Sequence, residues 1–450
     1  MSFRKYIIII VLLVACGKVY AQQDSLLTLQ QCLDIAIKNN LQVKQSNANA
    51  QLAGIDLKQA KENIIPSLGG NISRNFSQGR VAGVSGTYVN QSQTNDVYGL
   101  SSSMTLFNGF SLLNAVKSAS YAYQAGKMNF QAAKDVVTVN IITGYLAILD
   151  NEEILSADKS QLAVQQETVD RMKVLEEQGA NKAASDLTDQ QGQLAGNQVA
   201  VVNAQNNLDA AKLNLFQQMN IPYQPDAKFA DLNAENLTGN YGTNPDQAYQ
   251  VALQQFAAVK AATLSREAAE KAVSSQRGLL APSIVLNGGL GTNYYNTARK
   301  LSLPDSTQVP VSYNEQFKNN YNLSLQVGLN IPIFSHGTYR NNLNRAKINA
   351  LYSRDVEENS KIVLKQNIEQ AFYNMSAAYR RYQALTEQVK AYTESYRIYK
   401  LRFDEGVITS VDFIIAKNNL DGATVNLISA KYDYFIDSKI LDYYQGKLSL

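Results

Sequence analysis

Side chains able to carry covalent, metal or proton-transfer chemistry are sparse in this sequence of 450 residues, which has one histidine, two cysteines and no tryptophan. His336 has no cysteine or second histidine near it in the sequence, so it cannot anchor the ligand cluster that a zinc or copper centre needs. Adjacent carboxylates occur at Glu152-Glu153, Glu176-Glu177 and Glu357-Glu358. Such pairs could share acid–base work, but these fall on the polar faces of helical segments, where charge is simply solvated. Gly288-Gly289-Leu290-Gly291 lies inside an alternating strand pattern and opens no helix, so it is not a phosphate cradle. Asp186 and Asp412 each open a helical segment just beyond a turn, at Gly179 and Gly406 respectively. A carboxylate there accepts backbone N–H bonds and complements the helix dipole, which predicts N-capping. This inventory argues against an enzyme and gives no reason to expect a metal or another cofactor.

The elements that would position these residues are long helices. The eight prolines lie at positions 66, 222, 225, 245, 282, 304, 310 and 332, leaving Ser67–Ile221 and Ile333–Leu450 free of them. A proline inside a helix costs about 3 kcal/mol, so these stretches invite unbroken helix. Leu187, Leu194, Val201, Leu208 and Leu215 recur every seven residues, as do Phe413, Leu420, Leu427, Tyr434 and Leu441. Ala416, Ala423 and Ala430 complete a seam of coiled-coil type in the second series. Met375, Tyr379, Tyr382, Leu385, Val389, Tyr392, Tyr396, Tyr399 and Phe403 form a stripe at steps of three and four, which predicts a packing seam rather than a ligand face.

The pattern occurs twice. Leu29–Pro66 lies over Pro245–Pro282 at an offset of 216, and Glu177-Gln178-Gly179 over Asp404-Glu405-Gly406 at 227. The first repeat covers about 28–219 and the second about 245–446. Each holds a half-length helix (Leu29–Ile65; Asp246–Ala281), a long helix (Ser111–Glu177; Thr338–Phe403) and a second half-length helix (Ser185–Gln218; Asp412–Gln445). The long helices would run ~100 Å at 1.5 Å per residue, and the half-length ones ~50 Å, so two short helices laid end to end match one long one.

Between the first two helices of each repeat the period drops to two. Tyr321, Leu323, Leu325, Val327, Leu329 and Ile331 alternate with Asn, Ser, Gln, Gly and Asn. Strands are expected at about 67–76, 97–107, 283–295 and 320–332, with polar connections at Ser77–Val97 and Asn296–Asn320. About ten residues is the length that a tilted strand needs to cross an outer membrane. Four strands leave two open edges, which a bilayer does not tolerate, so several copies must share one closed barrel.

The N-terminus reads as an export signal over 1–21. Arg4 and Lys5 precede an uncharged run, Tyr6–Ala15, that is too short to span a bilayer. Val19-Tyr20-Ala21 offers a cleavage site, while Leu13-Val14-Ala15-Cys16 resembles a lipobox that would leave Cys16 lipidated. Cleavage after Ala21 is the favoured reading, because helical sequence begins a few residues later, and Cys32 is then the sole cysteine. Residues 1–21 hold Arg4, Lys5 and Lys18 and no acid, so the remainder balances at 38 basic and 38 acidic residues. That neutrality gives no reason to expect nucleic acid as a partner. With a mean hydropathy of −0.24 the chain is not a bundle of transmembrane helices.

Two repeats of half-helix, hairpin, long helix, tight turn and half-helix in an exported chain resemble the TolC-type outer-membrane efflux proteins over essentially the whole mature length. Local motifs carrying the resemblance are Leu106-Phe107-Asn108-Gly109, Ile331-Pro332-Ile333-Phe334 and Gly406-Val407-Ile408-Thr409-Ser410-Val411-Asp412. The resemblance implies a mainly α fold with a transmembrane β-barrel contribution, as a homotrimer sharing a 12-stranded barrel on a hollow helical tunnel in the periplasm. It also implies a passive duct in the outer-membrane lipid, fed through a periplasmic adaptor by an inner-membrane pump, for which a resistance-nodulation-division type is expected. Gly179, Ala180, Gly406 and Val407 resemble the tips that meet the adaptor. Asp412, and by heptad alignment Asp186, would line the periplasmic constriction, where Ile415 and Ile408 replace a second aspartate and an arginine of the family's best-known member. Small-molecule efflux is the expected cargo class; type I protein secretion and a periplasmic coiled-coil scaffold are the alternatives.

Overall fold

The computed structural model describes residues 26–82, 86–178, 184–232 and 244–446. The leader, both cleavage positions and Cys16 lie outside these residues. The first repeat contains α1 (Leu29–Asn39), α2 (Leu41–Glu62), β1 (Ser67–Ala82), β2 (Tyr88–Phe107), α3 (Ser111–Glu177) and α4 (Ala184–Met219). The second contains α5 (Pro245–Gln255), α6 (Ala257–Gly278) and β3 (Ser283–Tyr295). It continues with β4 (Arg299–Ser302), β5 (Thr307–Pro310), α7 (Tyr313–Asn319), β6 (Asn322–Asn330), α8 (Thr338–Asp404) and α9 (Ser410–Tyr444).

The first half-length helix of each repeat, expected as a single helix over Leu29–Ile65 and Asp246–Ala281, is broken at Asn40 and at Phe256. The two breaks stand 216 residues apart, the offset of the duplication. Asn40 closes α1 by donating its N–H to the Ala36 carbonyl at 2.8 Å. Its side-chain oxygen then accepts from the N–H groups of Gln42 and Val43, capping α2. Phe256 ends α5 through an N–H bond to Ala252, and its ring packs 5.8 Å from both Tyr443 and Tyr444. Hydrophobic periodicity registers neither break, because neither shifts the apolar face.

The chain divides into two units. One, Ser46–Gln131 with Ala257–Ile362, contains an antiparallel sheet in the order β1-β2-β3-β6, so the two repeats join through β2 and β3. The hairpin β1–β2 reaches well past the expected strands, from Ser67↔Ser103 to Ala82↔Tyr88. Its polar outer half was expected to be a connection. Ladder bonds are made by the backbone, however, and pairs such as Ser77↔Gln93 need no apolar face. β6 is shorter than expected, and the segment before it holds the β4–β5 ribbon and α7 rather than an irregular loop.

Directly opposed residues share a sheet face. Rows such as Gly70–Leu100–Leu290–Leu323 and Met104–Leu286–Val327 place the apolar set on one face, while Ser103–Asn287–Gln326 and Ser101–Gly289–Ser324 place polar side chains on the other. Leu68, Ile72 and Leu325 are all more than three-quarters exposed. Where β2 hands over to α3, Gly109 and Phe110 adopt left-handed backbone, and the equivalent pair in the second repeat is His336 and Gly337. His336 therefore occupies an elbow. A Cβ on Gly278 would stand 2.5 Å from the Gly109 carbonyl oxygen, so this elbow packs backbone against backbone.

The other unit combines Met1–Gln45, Ala132–Phe256 and Val363–Leu450. The heptad positions Leu208, Leu215, Phe413, Tyr434 and Leu441 are buried, as are Ile141 and Ile148 of α3 and the small Ala416, Ala423 and Ala430 of α9. α3 holds an 18-residue window of mean hydropathy 1.4, of which 44% is buried inside the protein, as expected of a core seam. Tyr145 is fully buried, and its hydroxyl lies 2.9 Å from the Leu27 carbonyl and 2.7 Å from that of Ala230. It thereby pins the Leu27–Phe229 bridge against α3.

Asp150 sits less comfortably in this unit. Among the described residues its Oδ1 is buried without a hydrogen-bond partner. Burial, followed by the charges of Asp433 and Glu153, pushes its carboxyl up to about 6, and burial does the same to Asp437. A carboxyl whose folded pKa exceeds its unfolded value binds protons preferentially in the fold, so stability falls as pH rises between about 4 and 6. Asp150→Asn should raise the thermal midpoint near neutral pH and flatten that dependence, as measured by calorimetry across the interval.

Candidate functional site

The turn between α8 and α9 is built from local backbone rules. α8 ends as the N–H of Val407 bonds to the Arg402 carbonyl at 2.8 Å and that of Gly406 to Phe403 at 3.0 Å, the paired bonds of a Schellman motif. Gly406 supplies the left-handed residue, with φ 72°, and nothing lies within 4 Å of where its Cβ would be. The glycine is thus needed for its conformation and not for space.

Asp412 was expected to N-cap α9, but Thr409 does so: its hydroxyl accepts from the Asp412 N–H at 3.4 Å. The Thr409 hydroxyl also lies 3.1 Å from the Asp412 carboxylate. Asp412 is exposed in the first helical turn, on a terminus whose dipole favours its charge. Asp186 likewise lies inside the first turn of α4 rather than at its cap. It accepts from the Ser410 hydroxyl at 2.7 Å, and Asp189 lies 3.2 Å from the same oxygen. Ser410 is fully buried, so this bond ties the start of α9 to the start of α4. The two aspartates aligned by heptads therefore differ: Asp412 is exposed and bonded within its own turn to Thr409, whereas Asp186 is bonded to Ser410 of the neighbouring helix.

Behind the turn, Phe403 stacks on Phe413 with centroids 4.7 Å apart and planes 6° from parallel. Met172 completes this buried cluster, against which Leu187, Tyr396 and Ile408 pack. Burial pushes the Tyr396 hydroxyl above its ordinary pKa. Arg171 forms an ion pair with Asp404, joining the ends of α3 and α8. Val407 stands out from the turn, 72% exposed. Gly179 and Ala180, the matching turn of the first repeat, fall outside the described residues. Sequence reasoning missed Thr409, whose spacing to Asp412 is the visible signature of a capping pair. It also missed Ser410 and the Arg171–Asp404 pair, for which no local pattern exists.

A carboxylate beside an exposed helical turn and a sheet apolar on one face and polar on the other suit passage and assembly rather than bond-making. No group of three or more acidic, histidine or cysteine side chains able to hold a metal occurs among the described residues. A family model described as outer membrane efflux protein matches residues 32–220 and 248–446. The chain belongs to this family. The unmatched stretch of this outer membrane efflux protein, 221–247, falls in the connection between its repeats. It is 22% identical to outer membrane protein TolC of Salmonella enteritidis over 424 residues, spanning 94% of this chain and 82% of the relative. It is 23% identical to the outer membrane efflux protein BepC of Brucella suis, over 94% of this chain and 86% of that one. In fold it resembles the CmeC outer membrane channel of Campylobacter jejuni, with a TM-score of 0.79, 18% identity and coverage of 93% and 86% of the two chains. The chain is thus an outer membrane efflux protein, as its motifs suggested.

Gly406→Ala places a Cβ in left-handed backbone and should cost about 1–2 kcal/mol. Phe413→Ala opens a cavity in the aromatic cluster and should cost about 3–5 kcal/mol. Both losses should appear as faster limited proteolysis at this turn, with β-sheet content by circular dichroism unchanged.

Proposed function

We propose that this efflux protein is the exit duct of a tripartite efflux assembly, with three copies closing one barrel of 12 strands above a helical tunnel in the periplasm. The observation that carries the reading is the four-stranded sheet itself. Its apolar face is exposed, its polar face lacks charge along Ser101, Ser103, Asn287, Ser324 and Gln326, and β1 and β6 stand at its edges. A bilayer accepts such a sheet only when the edges meet. Joining β6 of one copy to β1 of the next meets this requirement and encloses the polar face as a watery lumen. Small molecules are the proposed cargo, delivered by an inner-membrane pump of resistance-nodulation-division type through a periplasmic adaptor. The proposed precursor carries a leader over 1–21, with Cys16 as the lipidation residue if processing occurs there.

The adaptor is proposed to dock at the helical turns, Gly406 and Val407 in one repeat and Gly179 and Ala180 in the other. Exposure of Val407 beside a helix end fixed by Gly406 supports this role. Asp412 is proposed to line the constriction, with Asp186 holding the neighbouring helix through Ser410. Three symmetry copies of an exposed carboxylate would favour cations.

Leu325→Arg sets a charge on the lipid face, where a central arginine costs about 2–4 kcal/mol, and should sharply reduce the trimer recovered from outer membranes. Undiminished recovery would reverse the assignment of faces. Asp412→Asn should lessen cation selectivity in planar bilayers, read as a smaller reversal potential under a salt gradient. The difference should fade near 1 M salt, where screening acts beyond ~3 Å. Equal potentials for parent and variant at low salt would remove Asp412 from the conduction path.

A further inference from the structure

The outward face of the sheet carries a feature that plain contact with lipid does not require. Phe317 of α7 and Tyr321 stand beside β2 and β3 and border an open groove of about 520 Å³. Gly70, Ile72, Leu100, Leu290 and Phe317 line it with Tyr321. The helix is held in place. The Tyr313 and Tyr98 hydroxyls are 2.7 Å apart, and the Phe317 carbonyl accepts from Thr292 at 2.8 Å. Buried Gln316 bonds both the N–H and the carbonyl of Tyr295. The groove is therefore formed before anything enters it.

Its far end is charged. One outward position beyond Ile72, away from the strand ends that meet the helices, Arg74 grips Asp96 in a bidentate pair at 2.6 and 2.7 Å. Asp96 is 1% exposed whereas the Arg74 side chain is 69% exposed, so the guanidinium is aimed outward by a carboxylate it covers. A charged pair on a lipid-facing strand is costly at the midplane and cheap near the headgroups, which sets this row at the membrane surface. Apolar groove toward the midplane and guanidinium toward the headgroups is the layout of a bound acidic lipid. Strand ends that meet periplasmic helices make the opposite half of the sheet the outer-leaflet half.

Resting on the outer-membrane reading above, we propose that this groove holds an acyl chain of a phosphorylated outer-leaflet glycolipid of lipid A type, whose phosphate meets Arg74. The phosphate would use guanidinium N–H groups outside the Asp96 pair, since Nε and Nη2 are already given to that carboxylate.

Native mass spectrometry of trimers purified from outer membranes, and of delipidated trimers mixed with lipid A or phosphatidylethanolamine, tests the assignment. Parent trimers should retain lipid A and prefer it over phosphatidylethanolamine. Gly70→Leu fills the groove from a position where a Cβ meets Leu100 at 3.4 Å, an ordinary contact that the strand tolerates. It should weaken lipid A retention at least about tenfold, equivalent to about 1.4 kcal/mol. The double variant Arg74→Gln with Asp96→Asn removes both charges together, leaving no buried carboxylate unpaired, and should abolish the preference for lipid A while leaving acyl-chain binding. Inserted parent trimers without bound lipid A, equal competition by phosphatidylethanolamine, or parent-like retention in Gly70→Leu would each overturn the glycolipid site alone. Failure of the parent to insert as a trimer would instead overturn the duct reading on which it rests.

Discussion

Hydrogen-bond closure in a medium without water is the constraint on which the architecture depends. In the proposed barrel a strand in lipid must find both neighbours, and each copy would supply only four, in an order that leaves β1 and β6 at the edges. The alternating faces suit that setting: the face of Leu68, Leu100, Leu290 and Leu325 is mainly apolar apart from the Arg74–Asp96 pair, and the other carries mainly small polar residues. The elbows suit the same reading, since a strand proposed to cross the membrane and a helix proposed to lie outside it are joined at Gly109–Phe110 and His336–Gly337, both in left-handed backbone.

The helical unit answers a different demand. Long helices have little interior, so their stability comes from narrow seams of Leu, Ile and Val spaced by Ala, in which each fully buried large side chain contributes roughly 1.5–3 kcal/mol. Some polar groups that enter these seams are tied to one another, as Gln165 Nε2 is to Gln190 at 2.7 Å and Lys417 to Asp421 at 2.5 Å. The Asp150 Oδ1 has no such partner among the described residues, and burial with the nearby charges of Asp433 and Glu153 raises its carboxyl.

Most of the fold was legible because its periods are long and unbroken by proline. The 67-residue helices α3 and α8 end within a residue of where the pattern places them. Leu323–Ile331 declared a strand and its outward face. What escaped was set by contacts with no local signature. Asn40 looks like an ordinary polar residue within a helical run, and Phe256 like an ordinary apolar one. The polar half of β1–β2 lacks the alternation that marks a half-buried strand. At the α8–α9 turn the glycine and the exposed aspartate were readable. The division of labour between Thr409, Asp412, Ser410 and Asp186 was not, because it depends on which of several competent oxygens meets each hydrogen.

The matched breaks at Asn40 and Phe256 carry a wider consequence. One backbone interruption is specified by an amide that caps the following helix in the first repeat and by an aromatic ring wedged among tyrosines in the second. The same geometry thus has two unrelated side-chain spellings within a single polypeptide. A duplicated chain of this kind carries its own substitution table: for each position in one repeat, its counterpart is a working alternative on nearly the same scaffold. Exchanging counterparts separates what the backbone demands from what one neighbourhood happens to supply.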